Sequence, residues 1–182
     1  MKKIDISTKK HPNTFAMVDD EDYDRLNAHK WYPAKQKTGM IYVQRVPWKK
    51  GGKGRKPTFM HREVMGTPEG KFTDHKYHNG LDNQKQNLRQ CTTSQNGANK
   101  RKQHNKTLSK YKGVTMFSTT NRAKPWVASI IKNSKSYYLG TFKTEEEAAI
   151  AYNNKAIELF GEYACLNYLT QEAIQEAYRS RI

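Results

Sequence analysis

Residues 71–101 read KFTDHKYHNGLDNQKQNLRQCTTSQNGANKR, and within them the pair Asp74-His75 is followed by Asn87 after eleven residues and by Asn96 after eight more. Turn and strand signals give this stretch a local shape. A short strand ends at the pair, a loop runs through Gly80, Leu81, Asp82 and Asn83, a second strand starts at Leu88, and a helix follows that Ser94 or Thr93 can cap. Such a strand, strand, helix unit turns Asp74 and Asn96 toward one cleft. Taken singly, an Asp-His pair is common and an Asn-rich loop can be a set of Asx turns. The constraint lies in the joint pattern: the pair, both spacings, Asn-Leu-Arg at 87–89, and Met60-His61-Arg62 upstream.

On those residues the stretch resembles the HNH endonuclease motif, with asparagine in the place of the last histidine. The resemblance implies a ββα-metal unit that hydrolyses phosphodiesters, and the residue types suit that chemistry. A phosphodiester is anionic, repels hydroxide and must expel an alkoxide. A neutral imidazole can deprotonate water near pH 7, which makes His75 the candidate base. A divalent cation would offset charge on the phosphoryl and leaving oxygens, with Asp74 giving a carboxylate oxygen and Asn96 an amide oxygen. Two oxygen ligands leave room for waters and phosphate. That is the habit of Mg2+, with Mn2+ as the alternative, and not of a closed zinc site. Asn87 is expected to hold the loop and orient His75, Arg62 and Arg89 to contact DNA, and His78 to be a rival base in a solvent-exposed loop.

A chain of 182 residues suits one large domain or two small ones, and 35% hydrophobic against 27% charged residues favours two with small cores. No apolar run approaches membrane-spanning length, and Met-Lys-Lys-Ile is not followed by an apolar signal segment, so the expectation is a cytoplasmic protein of a bacterial or phage-infected cell, not a secreted one. Cys91 and Cys165 are the only cysteines, too few for a Cys-rich zinc staple and read as small buried hydrophobes. The net charge is +16, and acidic residues are missing from Arg25 to Arg62 and again from Asn83 to Thr144. Long stretches of one sign point to an interaction face and to a polyanionic partner.

Along the chain, residues 1–14 show no apolar periodicity and read as a loose lead-in, and Phe15 to Val18 reads as a strand. The run Asp19-Asp20-Glu21-Asp22 imitates the opening of a calcium loop. Arg25 and Trp31 occupy the positions of its glycine and bidentate glutamate, so the run is assigned to the first turn of a helix through Tyr23 and Leu26. Trp31-Tyr32 and Met40 to Val46 read as strands. The glycine-lysine loop GGKGRK between Pro47 and Pro57 suits DNA backbone but lacks the Gly-Lys-Ser/Thr of a P-loop. Phe59 to Met65 reads as a short helix or turn. Asn99 to Ser109 is polar and basic, and marks a linker in which Lys100, Arg101, Lys102 and Lys106 would track phosphates.

KYKGV, PWVASI, YYLGTF and EEEAAIAYNNKAIELFGEYACLNY, in that order within 110–168, closely resemble the Apetala-two/ethylene-response-factor DNA-binding domain. The resemblance implies a three-stranded antiparallel sheet backed by one helix. The residues agree: Trp126 to Ile131 alternate between two faces, Thr144 and Glu147 form a capping box, and Ala148, Ala149, Tyr152, Ala156 and Leu159 line an apolar stripe. Carried over by position, the DNA face is Lys112, Thr115, Phe117, Ser129, Ile131, Ser136 and Tyr138. The plant proteins carry several arginines at these places and this chain keeps only Lys112 as a cation, so the resemblance does not carry over a guanine-rich preference, while Thr115, Phe117 and Ile131 could meet thymine methyls. Arg122, Lys124, Lys132 and Lys135 remain for phosphates. The tail from Thr170 has Leu169, Ala173 and Ala177 at helical spacing.

The expected organisation is therefore α+β: an HNH domain over 1–98, a basic linker over 99–109, a sheet-and-helix DNA-binding domain over 110–169 and a terminal helix over 170–182. The expected function is a site-specific DNA endonuclease of the homing type, phage- or intron-encoded. It would act on duplex DNA as a monomer that nicks one strand, without a membrane or a small-molecule cofactor. The rivals are a non-catalytic DNA-binding regulator on a nuclease-like scaffold and RNA binding through the same basic faces.

Overall fold

The computed structural model describes residues 1–36, 39–46, 56–102, 108–117, 123–172 and 174–175. The chain divides into two compact units, Met1–Asn96 and Gly97–Ile182. Both are mixed helix and strand, with small antiparallel sheets.

In the first unit, strand β1 (Lys2–Asp5) pairs antiparallel with β2 (Phe15–Val18). This corrects the expected loose lead-in. Ile4 and Ile6 are buried while Lys3 and Asp5 face out, a period-two signal two residues long that a window scan misses. Helix α1 (Asp20–Asn27) carries Asp20, Glu21 and Asp22 in its first turn, where negative charge suits the dipole. Asp19 precedes it without capping it. Its carboxylate instead accepts from Gln84 Nε2 (3.1 Å) and the Lys85 N–H (2.8 Å). Trp31 lies outside a strand, 1% exposed, with Nε1 donating to the Leu26 carbonyl at 2.8 Å. Strands β3 (Tyr32–Lys35), β4 (Ile41–Arg45) and β5 (Thr58–Phe59) form a sheet in that order, and α2 (Met60–Val64) follows directly. Ile4, Ile6, Val18, Leu26, Trp31, Val43, Met60, Val64 and Leu88 make one core, each large side chain worth about 1.5–3 kcal/mol of burial.

Strands β6 (Phe72–His75) and β7 (Leu88–Cys91) pair antiparallel, with Asp74 opposite Arg89 and His75 opposite Leu88. Helix α3 (Thr93–Asn99) follows, and the division between the units falls within it. Its cap is Thr92, not Ser94 or Thr93. The Thr92 hydroxyl accepts the Gln95 N–H while the Gln95 side chain accepts the Thr92 N–H, a capping box written Thr-x-x-Gln.

The second unit has β8 (Val114–Met116), β9 (Trp126–Lys132) and β10 (Lys135–Phe142) in the order β10-β9-β8, all antiparallel. Helix α4 (Glu145–Phe160) begins at the Thr144/Glu147 capping box. Ala148 and Ala149, both 0% exposed, bring α4 close to Val114 and Ala128 of the sheet. Gly113, at φ +73°, leaves room for the Tyr152 ring, which any Cβ there would strike. Residues 171–172 and 174–175 are helical, and Ile174 N–H reaches the Thr170 carbonyl. Ala173 and Ala177, the loop residues 47–55, Lys106 and Arg122 lie outside the described residues.

Candidate active site

The hairpin β6–β7 sets the geometry. Asp74 is 9% exposed, and Arg89, 8% exposed, donates to its Oδ2 from Nε (3.1 Å) and from the terminal amine (3.0 Å). Arg89, expected on DNA, is thus drawn inward by register: directly opposite Asp74, it neutralises a carboxylate that burial would otherwise penalise. His75 ends β6 at 3% exposure. Burial pulls its pKa down to about 4, opposed by the Asn83 side chain and the Asp74 charge and assisted by His78, so the ring is neutral at pH 7.

Asn87 is fully buried and closes the loop between the strands. Its Oδ1 accepts the Tyr77 N–H at 3.1 Å, and its Nδ2 donates to the carbonyls of Asp82 (2.8 Å) and Asn79 (3.3 Å). Asn83, also fully buried, donates to Leu81 O. Gly80 lets this loop lie on β4: a Cβ there would collide with the Ile41 carbonyl and stand 2.7 Å from Tyr42 Cδ1. Asn96 lies half-buried on α3, its N–H bonded to Thr92 O. His78 takes a left-handed turn conformation, φ +59°, its N–H on the His75 carbonyl, and is half-buried.

Behind His75 stands a cluster that motif spacing does not identify. Tyr42 of β4 stacks on His75 with centroids 5.4 Å apart, and His61 of α2 meets His75 edge to face at 4.8 Å. Burial lowers the His61 pKa to about 3, helped by His75 and Arg62. Upstream Met60-His61-Arg62 was the only hint. Arg62 itself donates to the carbonyls of Lys71, Thr67 and Pro68, and so holds the turn before β6.

In the second unit, the face of the sheet away from α4 carries Thr115, Ser129, Ile131, Ser136 and Tyr138, with Ile131 65% and Tyr138 66% exposed. Phe117 is half-buried beyond β8, its N–H on Pro125 O. Three of the cations expected there sit elsewhere. Lys112 is drawn to the Ala98 carbonyl, and burial lowers its pKa. Lys132 donates to Leu159 O at 2.8 Å and covers the Phe160 ring. Lys135 lies over Tyr137. Long aliphatic stems favour this wrapping onto the helix side of the sheet. Lys100 and Arg101 are exposed, Lys102 half-buried, and Arg101, Lys102, Lys110, Lys112 and Tyr168 line one groove of this unit.

One unit packs polar groups around a buried imidazole, and the other leaves an uncharged sheet face open. An HNH endonuclease of Acanthamoeba polyphaga mimivirus, itself named as uncharacterised, is 34% identical over 156 residues, 85% of this chain and 75% of that protein. The chain belongs to the HNH endonuclease family. Two Arabidopsis thaliana proteins match about a third of it. An AP2-like ethylene-responsive transcription factor is 45% identical over 62 residues, 33% of this chain and 10% of that protein. A second ethylene-responsive transcription factor is 41% identical over 73 residues, 35% of this chain and 41% of its own. No protein-family model and no solved structure matches the chain.

Proposed function

We propose that the chain is a metal-dependent, site-specific DNA endonuclease of the homing type, whose first unit hydrolyses a phosphodiester on a ββα-metal scaffold while the second holds the duplex. The observation that carries this reading is His75, a buried imidazole at the end of a strand, beside a carboxylate that Arg89 fixes. His75 takes the proton of the attacking water. An anionic phosphate next to the ring raises its basicity from the low value of the free chain toward the working range. Asn87 keeps the loop closed so that the base does not wander.

Asp74 and Asn96 are the ligands we assign to a divalent cation, Mg2+ with Mn2+ as the alternative. Both donors are oxygens, and among the described residues no group of three or more His, Cys, Asp or Glu could hold a metal. That set fits a hard ion that keeps several waters. When bound, such an ion supplies electrostatic relief to the phosphoryl and leaving oxygens. One centre per chain cuts one strand, so a monomer nicks.

Thr115, Ser129, Ile131 and Tyr138 meet the major groove, with Phe117 at the edge. Because these side chains carry no formal charge, base reading rests on hydroxyls and on apolar contact with thymine methyls. Lys100, Arg101 and Lys102 hold phosphates. If ~6–10 phosphates are neutralised, affinity falls by about 10³–10⁵ between 50 and 200 mM salt.

The test is nicking of a supercoiled plasmid carrying a site selected from a random library, with Mg2+, for the wild type, His75→Ala and Asp74→Ala. Magnesium-dependent nicking that drops at least ~10²-fold in both variants is expected. Tight, salt-sensitive binding with no nicking by the wild type would return the non-catalytic regulator.

A further inference from the structure

His61 is only 7% exposed, and three neighbours enclose its ring. Phe59 stacks on it at 5.4 Å and 21°, Tyr42 tilts against it at 5.3 Å, and His75 meets it at 4.8 Å and 74°. Tyr42 also stacks on His75, so β4, β5 and α2 converge on the ring assigned as the base. Within this packing Nδ1 of His61 is buried and has no hydrogen-bond partner among the described residues. A buried unpaired nitrogen costs stability, and a phenyl ring would fill the same space without that cost. Side chains that cost stability beside a reactive group are the signature of a function kept at stability's expense. What an imidazole adds over a phenyl is a polar edge. His75 already has a hydrogen bond with the Asn83 side chain, and the field of this polar edge, set against the His75 ring, adds to that bond in biasing the orientation and tautomer the ring adopts.

We propose that His61 is a positioning residue of the nuclease centre, acting through His75: its polar ring, clamped between Phe59 and Tyr42, fixes the plane and tautomer in which His75 meets water. For catalysis this rests on the nuclease reading above; the coupling of the two rings does not.

The comparison is between His61→Phe, which keeps ring shape, and His61→Asn, which returns a polar atom near the position of Nδ1. His61→Phe is expected to keep or raise the thermal midpoint and to hold DNA affinity and KM within about two-fold. Its kcat for nicking should fall about ten-fold or more, with part of the loss recovered in His61→Asn. In spectra of protein carrying ¹⁵N-labelled histidine at neutral pH, His75 should show one dominant tautomer in the wild type and a mixture in His61→Phe. Wild-type kcat in His61→Phe, or an unchanged His75 tautomer, overturns the proposal and leaves His61 as packing. A wild type that binds DNA and does not nick removes the nuclease reading alone, since the spectra still decide whether His61 governs His75. Should His61→Phe fail to fold, His61→Asn against wild type carries the same two readouts: a kcat and a dominant His75 tautomer retained at least in part support the polar-edge role, and loss of both overturns it.

Discussion

The first unit hides His61, Thr73, Asp74, His75, Asn83, Asn87 and Arg89 around one hairpin, whereas the second buries chiefly Val114, Ala128, Ile130, Ala148, Ala149, Tyr152 and Ala156. Among its described residues the buried polar side chains are Asn99, Ser109 and Glu147, and Glu147 completes the helix cap. Polar groups taken out of water must be paired, and where they are, the surroundings become rigid and specific at the expense of net stability. The second unit follows the opposite economy: a dry Ala-rich seam supports an open face. Chemistry needs side chains fixed to fractions of an ångström, while reading a duplex needs a firm platform with its outer surface left bare.

The sharpest way to break this contrast is Arg89→Met. It strands the Asp74 carboxylate in a buried position and should destabilise the first unit by about 3–5 kcal/mol. Denaturant melts followed separately through Trp31 and Trp126 would check it, with the Trp126 transition unmoved. Acid comes next. The folded pKa values of His61 and His75, about 3 and about 4, lie below the 6.5 of the unfolded chain. Protons therefore bind the unfolded state first, and stability that is complete above pH 6.5 drains away as pH falls toward 4. The loss should be on the order of 2 kcal/mol per histidine by pH 4.5, read as denaturation midpoints across pH. The second unit, whose buried groups are not histidines, should change less. Third, Thr144→Ala removes the acceptor for the Glu147 N–H and should cost that unit about 1 kcal/mol, seen as a lower midpoint for Trp126. Last, replacing thymine by deoxyuracil in a selected site deletes one methyl at a time. If Ile131 and its neighbours read those methyls, each contacted position should lose about 0.8 kcal/mol, roughly four-fold in Kd by gel shift. Indifference to the methyl would remove the base-reading assignment of that face.

Much of this was legible in the chain. Periodicity and the capping box located β9 and α4, and turn signals located the β6–β7 hairpin. What stayed hidden has physical causes. Thr92, Thr93 and Ser94 offer three equal caps, and only Gln95, three residues beyond Thr92, decides among them. Charge counting sees Arg89, Lys112 and Lys132 as cations but not that a cross-strand carboxylate or a carbonyl draws each inward. Tyr42 and His61 reach His75 from a strand and a helix whose meeting no local pattern encodes.

Gly80 carries a last consequence. Its loop rests so closely on β4 that the smallest enlargement, Gly80→Ala, must displace either the Ile41 peptide or the Tyr42 ring that lies against His75. One added methyl at that glycine therefore reaches the buried imidazole by way of a neighbouring strand, without touching the helix-backed sheet.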